Sequence, residues 1–239
     1  MKGFGQSMRV LGIDTATTCG SIGLTHDENV ISEYFLDLPM THSERLLDAV
    51  DVVLKRAHCA LADLDGFAIS LGPGSFTGVR IGVSTVKGLA FATQKPVAGT
   101  STLDVLASQV SPTPYLVCPI VDARKGEVYT AFYRYEEANH LKRLSEYRAV
   151  RPEILVELVK EPTIFLGDGA KKYEKELRSS LNSLALFSPA PLHIPHGSAV
   201  ARLGAKLLIR GEVLNLSTFS PLYVRPSEAE MKWQQKHPD

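Results

Sequence analysis

No run of this sequence reaches the ~18 consecutive apolar residues a membrane-spanning helix needs, so no membrane contact is expected. An excess of one charge is missing too. Lys and Arg total 26 and so do Asp and Glu, a formal net charge of zero in 239 residues. That removes the basic surplus by which a protein grips a nucleic-acid backbone unaided. Cysteine is scarce: Cys19, Cys59 and Cys118 are scattered, with no C-x-x-C pair. A zinc knuckle or disulfide framework is therefore not expected, and a reducing cytoplasm is the natural location. There is no G-x-S-x-G nucleophile elbow. No histidine stands four residues from another on a helix: Leu46 occupies that place after His42, and His193 and His196 flank Pro195 in a loop. Metal binding is not expected. Residues 1–7, "MKGFGQS", lack an apolar core and read as a loose leader rather than a signal peptide.

What is present is an ordinary globular composition, 44% apolar and 22% charged. Residues 10–13 form an apolar strand ending at Asp14, and alternation resumes in "IGLTHD" and "VISEYFLD", predicting a three-strand meander. "THSERLLDAVDVVLKRAHC" follows, with Thr41 and Glu44 at capping-box spacing and Leu46, Leu47, Val50, Val53, Leu54 and Ala57 read as one stripe. "DGFAISLG" predicts a buried strand, residues 76–93 a helix, "KPVAGTS" a strand and "STLDVLASQV" a helix capped at Ser101. After "SPTP" the grammar repeats: an apolar strand ending in Asp122, a tight turn, a second strand and a third near residues 141–150. A helix at 152–160, the strand "TIFLGDGA", one charged helix at 171–181, the connector "SPAPLHIPHGS" and the helix "AVARLGAKLLIRG" complete the pattern. Two α/β halves with mixed sheets are predicted.

Residues 71–82, "LGPGSFTGVRIG", place a glycine-rich turn between strand and helix. Thr77 stands where the Walker A and Rossmann patterns both require glycine after Gly72, so neither motif is present. Two readings stay open. Ser75, Thr77 and backbone amides can cradle an anion at the helix start. Alternatively Gly74, Gly78 and Gly82, every fourth residue, strip one helix face so that another backbone can approach; glycine inside a helix costs up to ~1 kcal/mol and needs such a return. Asp14 and Asp122 at strand ends can face a metal–phosphate from opposite sides or serve as turn residues, the reading favoured for Asp122.

In their order and intervals, "VLGIDTAT", "THSERLL", "LGPGSFTGVRIG", "VDARKGEVYTAFY" and "SPLYVR" resemble the bacterial TsaB (YeaZ) family from about residue 8 to residue 225. The resemblance implies two actin-like, sugar-kinase-like (ASKHA) α/β halves. It divides the chain into residues 1–111, a degenerate second half at 112–196, and a helix and tail at 197–239 packing back on the first. It implies a cytoplasmic, non-catalytic subunit that dimerises with TsaD, recruits TsaE and forms a homodimer when alone. The complex transfers a threonylcarbamoyl group to N6 of the adenosine beside the anticodon of tRNAs reading A-starting codons. This chain itself would carry no cofactor; ATP, magnesium and a TsaD-bound metal would belong to the complex, and tRNA would be met through it. The partner face is expected at His42, Leu46, Leu47, Val50, Gly78, Val79, Gly82, Val83 and Lys87. A vestigial nucleotide or phosphate site is expected at Asp14, Ser75, Thr77, Gly167, Asp168 and Gly169. The competing readings are a free-standing actin-like ATPase using Asp14, Ser75 and residues 167–169, and a glycoprotease-type metallopeptidase, which the missing histidine pair disfavours.

Overall fold

The structure, a computed structural model, describes residues 7–37, 42–136 and 140–225. Thr41, the tail after Arg225, residues 1–6 and the side chains of His42 and Glu44 lie outside what is described.

The meander forms as read: β1 (Arg9–Asp14), β2 (Cys19–His26) and β3 (Asn29–Asp37) pair antiparallel. α1 (His42–Arg56) leads to β4 (Gly66–Ser70), parallel to β1, and α2 (Phe76–Thr93) leads to β5 (Val97–Thr100), parallel to β4. The sheet order is β3-β2-β1-β4-β5. Leu46, Val50 and Val53 from α1 and Val79, Val83 and Val86 from α2 close over Leu11, Ile13 and Phe67 on one face. That continuous buried layer is why the central strands read as unbroken apolar runs.

The second half repeats this order. α3 (Thr102–Ser108) joins it through β6 (Leu116–Arg124), β7 (Glu127–Thr130), β8 (Tyr133–Tyr135), β9 (Leu141–Arg143) and β10 (Arg148–Val150). α4 (Pro152–Leu158), β11 (Thr163–Leu166), α5 (Asp168–Lys172), α6 (Glu174–Leu181) and β12 (Ala185–Phe187) follow. Its strand path is β10-β7-β6-β11-β12. The third meander strand differs from expectation: it is split into β9 and β10, and β8–β9 folds back as a hairpin with Tyr133 beside Val117 of β6. The charged helix is likewise broken, because Tyr173 leaves helical dihedrals at φ −104°, ψ 16°.

α3 ties the halves together. Leu103 and Leu106 pack with Val117, Val121, Tyr133 and Leu166, and the Asp104 carboxylate accepts hydroxyl bonds from Tyr133 and Tyr147, both at 2.7 Å. α7 (Gly197–Ile209) covers the other face of the first sheet. It lies close because Gly12 and Gly23 present no side chain; a Cβ on Gly12 would collide with the Gly197 carbonyl and the Ala201 amide. Beyond α7 the chain returns as a strap: Leu214 N–H donates to Val97 O and Leu222 N–H to Leu71 O, at 2.8 and 2.7 Å. Among the described residues no helix is long and apolar enough to cross a membrane.

Candidate functional site

The residues singled out in the sequence fall in two places: the α1–α2 layer and the cleft where the C-terminal ends of β1, β4 and β6 face each other. In the first, the structure corrects the expected contact patch. Leu46, Val50, Val79 and Val83 are buried in the first half's own core, each no more than 5% exposed. Helical spacing reports which stripe is buried, and here the stripe meets the sheet rather than a second chain. Gly78 and Gly82 are also turned inward. The space a Cβ would fill at Gly78 holds Thr15 O, and at Gly82 it holds Thr15 Oγ1; the Thr15 hydroxyl donates to Gly78 O at 2.7 Å. The close neighbour is therefore the chain's own β1–β2 turn. Leu47 does point outward, 54% exposed, and Lys87 is half-buried with its ammonium 4.5 Å from the Phe219 ring centroid.

The outward face of α2 carries residues that spacing did not single out. Phe91, 72% exposed, stands near Ser84 and Gly88, both exposed. A Cβ on Gly88 would meet nothing within 4 Å, so no contact inside the chain compensates its helix cost. A phenylalanine at position 91 and a mid-helix glycine at position 88, outside the every-fourth-residue spacing of Gly74, Gly78 and Gly82, were the signals available.

In the cleft, Asp14 is fully buried. Its Oδ1 accepts the Ala16 amide at 2.9 Å, while Oδ2 has no aligned partner. Burial pushes its carboxyl up to about 6; the adjoining Ser70 hydroxyl and the Ala16 amide offset part of this, and the field of Asp168 adds to it. Asp122 behaves differently. Lys172 Nζ lies 3.1 and 3.0 Å from its two oxygens, Arg124 NH1 lies 3.8 Å away, and Arg124 N–H closes a turn on Oδ1 at 3.0 Å. Asp168 Oδ1 accepts the Asp122 amide at 3.0 Å, and burial, reinforced by Asp122, raises its carboxyl pKa.

These residues do not fit a magnesium nucleotide. Lys172 already supplies the countercharge at Asp122. Ser75 Oγ caps α2 by accepting Gly78 N–H at 3.2 Å, and Ser75 N–H is spent on Ala16 O at 2.6 Å. Thr77 is exposed on the first turn. Gly167, at φ +100°, and Gly169 pack against β6; a Cβ on Gly169 would stand 2.7 Å from Ile120 Cγ2. Asp122 and Asp168 are thus joined at the end of β6, with Asp14 near enough to feel the field of Asp168, and Gly167 and Gly169 are spent on packing against Ile120. Among the described residues no three His, Cys, Asp or Glu side chains are grouped to hold a metal ion. His193 faces Gly167 O and Ser188 O, and His196 faces Glu33 and Pro191 O.

The family model for "TsaD: tRNA N6-adenosine threonylcarbamoyltransferase" matches residues 39–233. The chain is 34% identical over 229 residues to the tRNA threonylcarbamoyladenosine biosynthesis protein TsaB of Bacillus subtilis (strain 168), covering 95% of this chain and 98% of the relative. The solved structure of YeaZ from Pseudomonas aeruginosa is similar at a TM-score of 0.74 and 29% identity, over 90% of this chain and 99% of that one. At 10% identity, the activator of the 2-hydroxyisocaproyl-CoA dehydratase from Clostridium difficile, solved with bound ADPNP, superposes at a TM-score of 0.56, over 88% and 100% of the two chains. That likeness carries the fold alone: two actin-like (ASKHA) halves.

Proposed function

This chain belongs to the TsaD family and, within it, to the TsaB (YeaZ) proteins of tRNA threonylcarbamoyladenosine biosynthesis, and on that premise we propose that it is the non-catalytic partner subunit of the transferase complex. In this reading it dimerises with TsaD, recruits TsaE, and pairs with itself when TsaD is absent. The threonylcarbamoyl group passes to N6 of the adenosine beside the anticodon of tRNAs reading A-starting codons. ATP, magnesium and the catalytic metal are held by the other subunits.

One observation carries the assignment: α2 exposes Phe91 one turn from Gly88, a glycine with no internal neighbour, and α1 separately exposes Leu47. A large exposed aromatic beside an uncovered helical glycine suits an interface, where Gly88 lets a facing backbone come close. The non-catalytic part rests on chemistry the site lacks. Leu46, four residues after His42, is buried in the core, and Lys172 neutralises the cleft aspartate that would otherwise face a cation.

The test is reconstitution. Co-expression with TsaD should give a stable heterodimer. Phe91→Asp should abolish it and, in a strain depleted of the native chain, should lower threonylcarbamoyladenosine in bulk tRNA measured by mass spectrometry. Modification of tRNA by this chain alone would overturn the reading, as would tight ATP–magnesium binding with turnover, which the free-standing ATPase requires.

A further inference from the structure

We propose that the exposed Phe76–Arg80–Tyr223 cluster, continued by Arg225 and Arg124, is a contact strip for single-stranded RNA. It is assembled from the first turns of α2 and the strap after α7. The Arg80 guanidinium stands 3.7 Å from the Phe76 ring centroid, and its Nε–H donates to the Tyr223 hydroxyl at 2.9 Å. The two rings are 5.5 Å apart and tilted by 32°, and they are 41% and 43% exposed. Tyr223 is fixed from both sides: Leu222 N–H is bonded to Leu71 O, and Arg225 forms an ion pair with Glu127 on β7. Glu127 stands opposite Arg124 in the β6–β7 ladder, and the Arg124 side chain is 72% exposed. The strip thus crosses from the first half to the second.

Charge and shape choose the occupant. Among the described residues Arg80 contacts the two rings and the hydroxyl but no carboxylate. Along the strip Arg124 and Arg225 are paired with Asp122 and Glu127, while Arg80 meets no acid, so the strip keeps one uncompensated cation and its partner is anionic. The exposed parts of the two rings and the guanidinium plane of Arg80 add stacking, which unpaired bases accept and duplex RNA or acidic peptides do not. Because the chain has no net positive charge, the strip supplements a grip supplied elsewhere. The choice of RNA rests on the function proposed above; the strip itself does not.

The full chain is titrated, at low and at physiological salt, with a fluorescent RNA hairpin bearing a single-stranded loop and with a duplex of equal length. The hairpin should bind in preference. Tyr223→Ala and Arg80→Glu should each weaken it at least about fivefold, the lower end for losing one stacked base, while Tyr223→Phe, which keeps the ring, should stay near wild type. Thermal melts establish that the variants are folded. No RNA binding by the wild-type chain, equal binding of hairpin and duplex, or alanine and glutamate variants at full affinity would each overturn the strip. If the same variants lose TsaD but keep RNA, the strip is a protein contact and the RNA assignment fails while the proposed function stands. If the wild-type chain never pairs with TsaD, the proposed function fails and the titration still decides the strip.

Discussion

Thr15 and Gly78 lock the β1–β2 turn onto α2: the Thr15 hydroxyl donates to the Gly78 carbonyl at 2.7 Å, and Thr15 O occupies the space of the missing Cβ. Gly82, one turn on, is filled in the same way by Thr15 Oγ1. Gly78→Ala and Gly82→Ala should therefore each destabilise the chain by about 2 kcal/mol, the usual cost of forcing a methyl into a packed interior, measured by urea unfolding. Wild-type stability in both would sink the internal-packing account.

Asp14 gives a pH signature. Its folded carboxyl, raised to about 6 by burial, titrates above its ordinary value of 3.8. Between those values the folded state holds more protons than the unfolded one, so Asp14 lowers stability as pH rises. Asp14→Asn should stabilise the chain at pH 7 by up to about 3 kcal/mol, the equivalent of such a shift, and flatten the slope between pH 4 and 6. Equal slopes in the two proteins would show that the carboxyl is not desolvated.

The Glu33–His196 pair works in the opposite sense. The Glu33 hydrogen bond raises the His196 pKa against the pull of burial. Burial alone would raise the Glu33 pKa, but bonds from His196 and the Ser198 amide at 2.8 Å bring it below 4.5. The histidine's contribution is complete below its ordinary 6.5 and is lost as pH climbs through the raised value; the glutamate's is present above 4.5 and lost as pH falls through the lowered one. The pair should hold the start of α7 best between pH 4.5 and 6.5. His196→Gln should remove the high-pH loss, read from thermal midpoints in the Asp14→Asn background.

The Asp104 clasp predicts a non-additive cycle. Tyr133→Phe and Tyr147→Phe should each cost about 1.5–3 kcal/mol, the range for hydrogen bonds to a charged group. Asp104→Ala should cost more than either, because it strands two hydroxyls whose ionisation burial already opposes. The double phenylalanine variant should depart from the sum of the singles by at least about 0.5 kcal/mol, as coupled neighbours do.

How much of this was legible in the residues differs by feature. The halves and their strand meanders were readable because β1 and β6 are buried runs ending in Asp14 and Asp122, a pattern that needs only local period. The split of the third strand into β9 and β10 was not, since pairing of Tyr133 with Val117 is a non-local choice. β12 is three residues long, too short for any period to show. In the candidate site, Leu46, Val50, Val79 and Val83 were expected on a partner face and are buried against the chain's own sheet instead, because helical period marks a stripe without saying what covers it. Lys172 was invisible as the counterion of Asp122, because fifty positions separate them and only the fold brings them together.

Gly88 separates internal packing from partner packing. A Cβ there meets nothing within the chain, so Gly88→Ala should raise the isolated protein's stability by about 0.5–1 kcal/mol through helix propensity alone. Its sign is thus opposite to that of Gly82→Ala, six residues earlier on the same helix. If α2 docks a sister chain, Gly88→Leu should keep that gain in large part while holding the facing backbone away, and co-purification with TsaD should fall sharply. A leucine variant that is stable and still pairs at full yield would move the interface off this face of α2, and Phe91 would then need another explanation for its exposure.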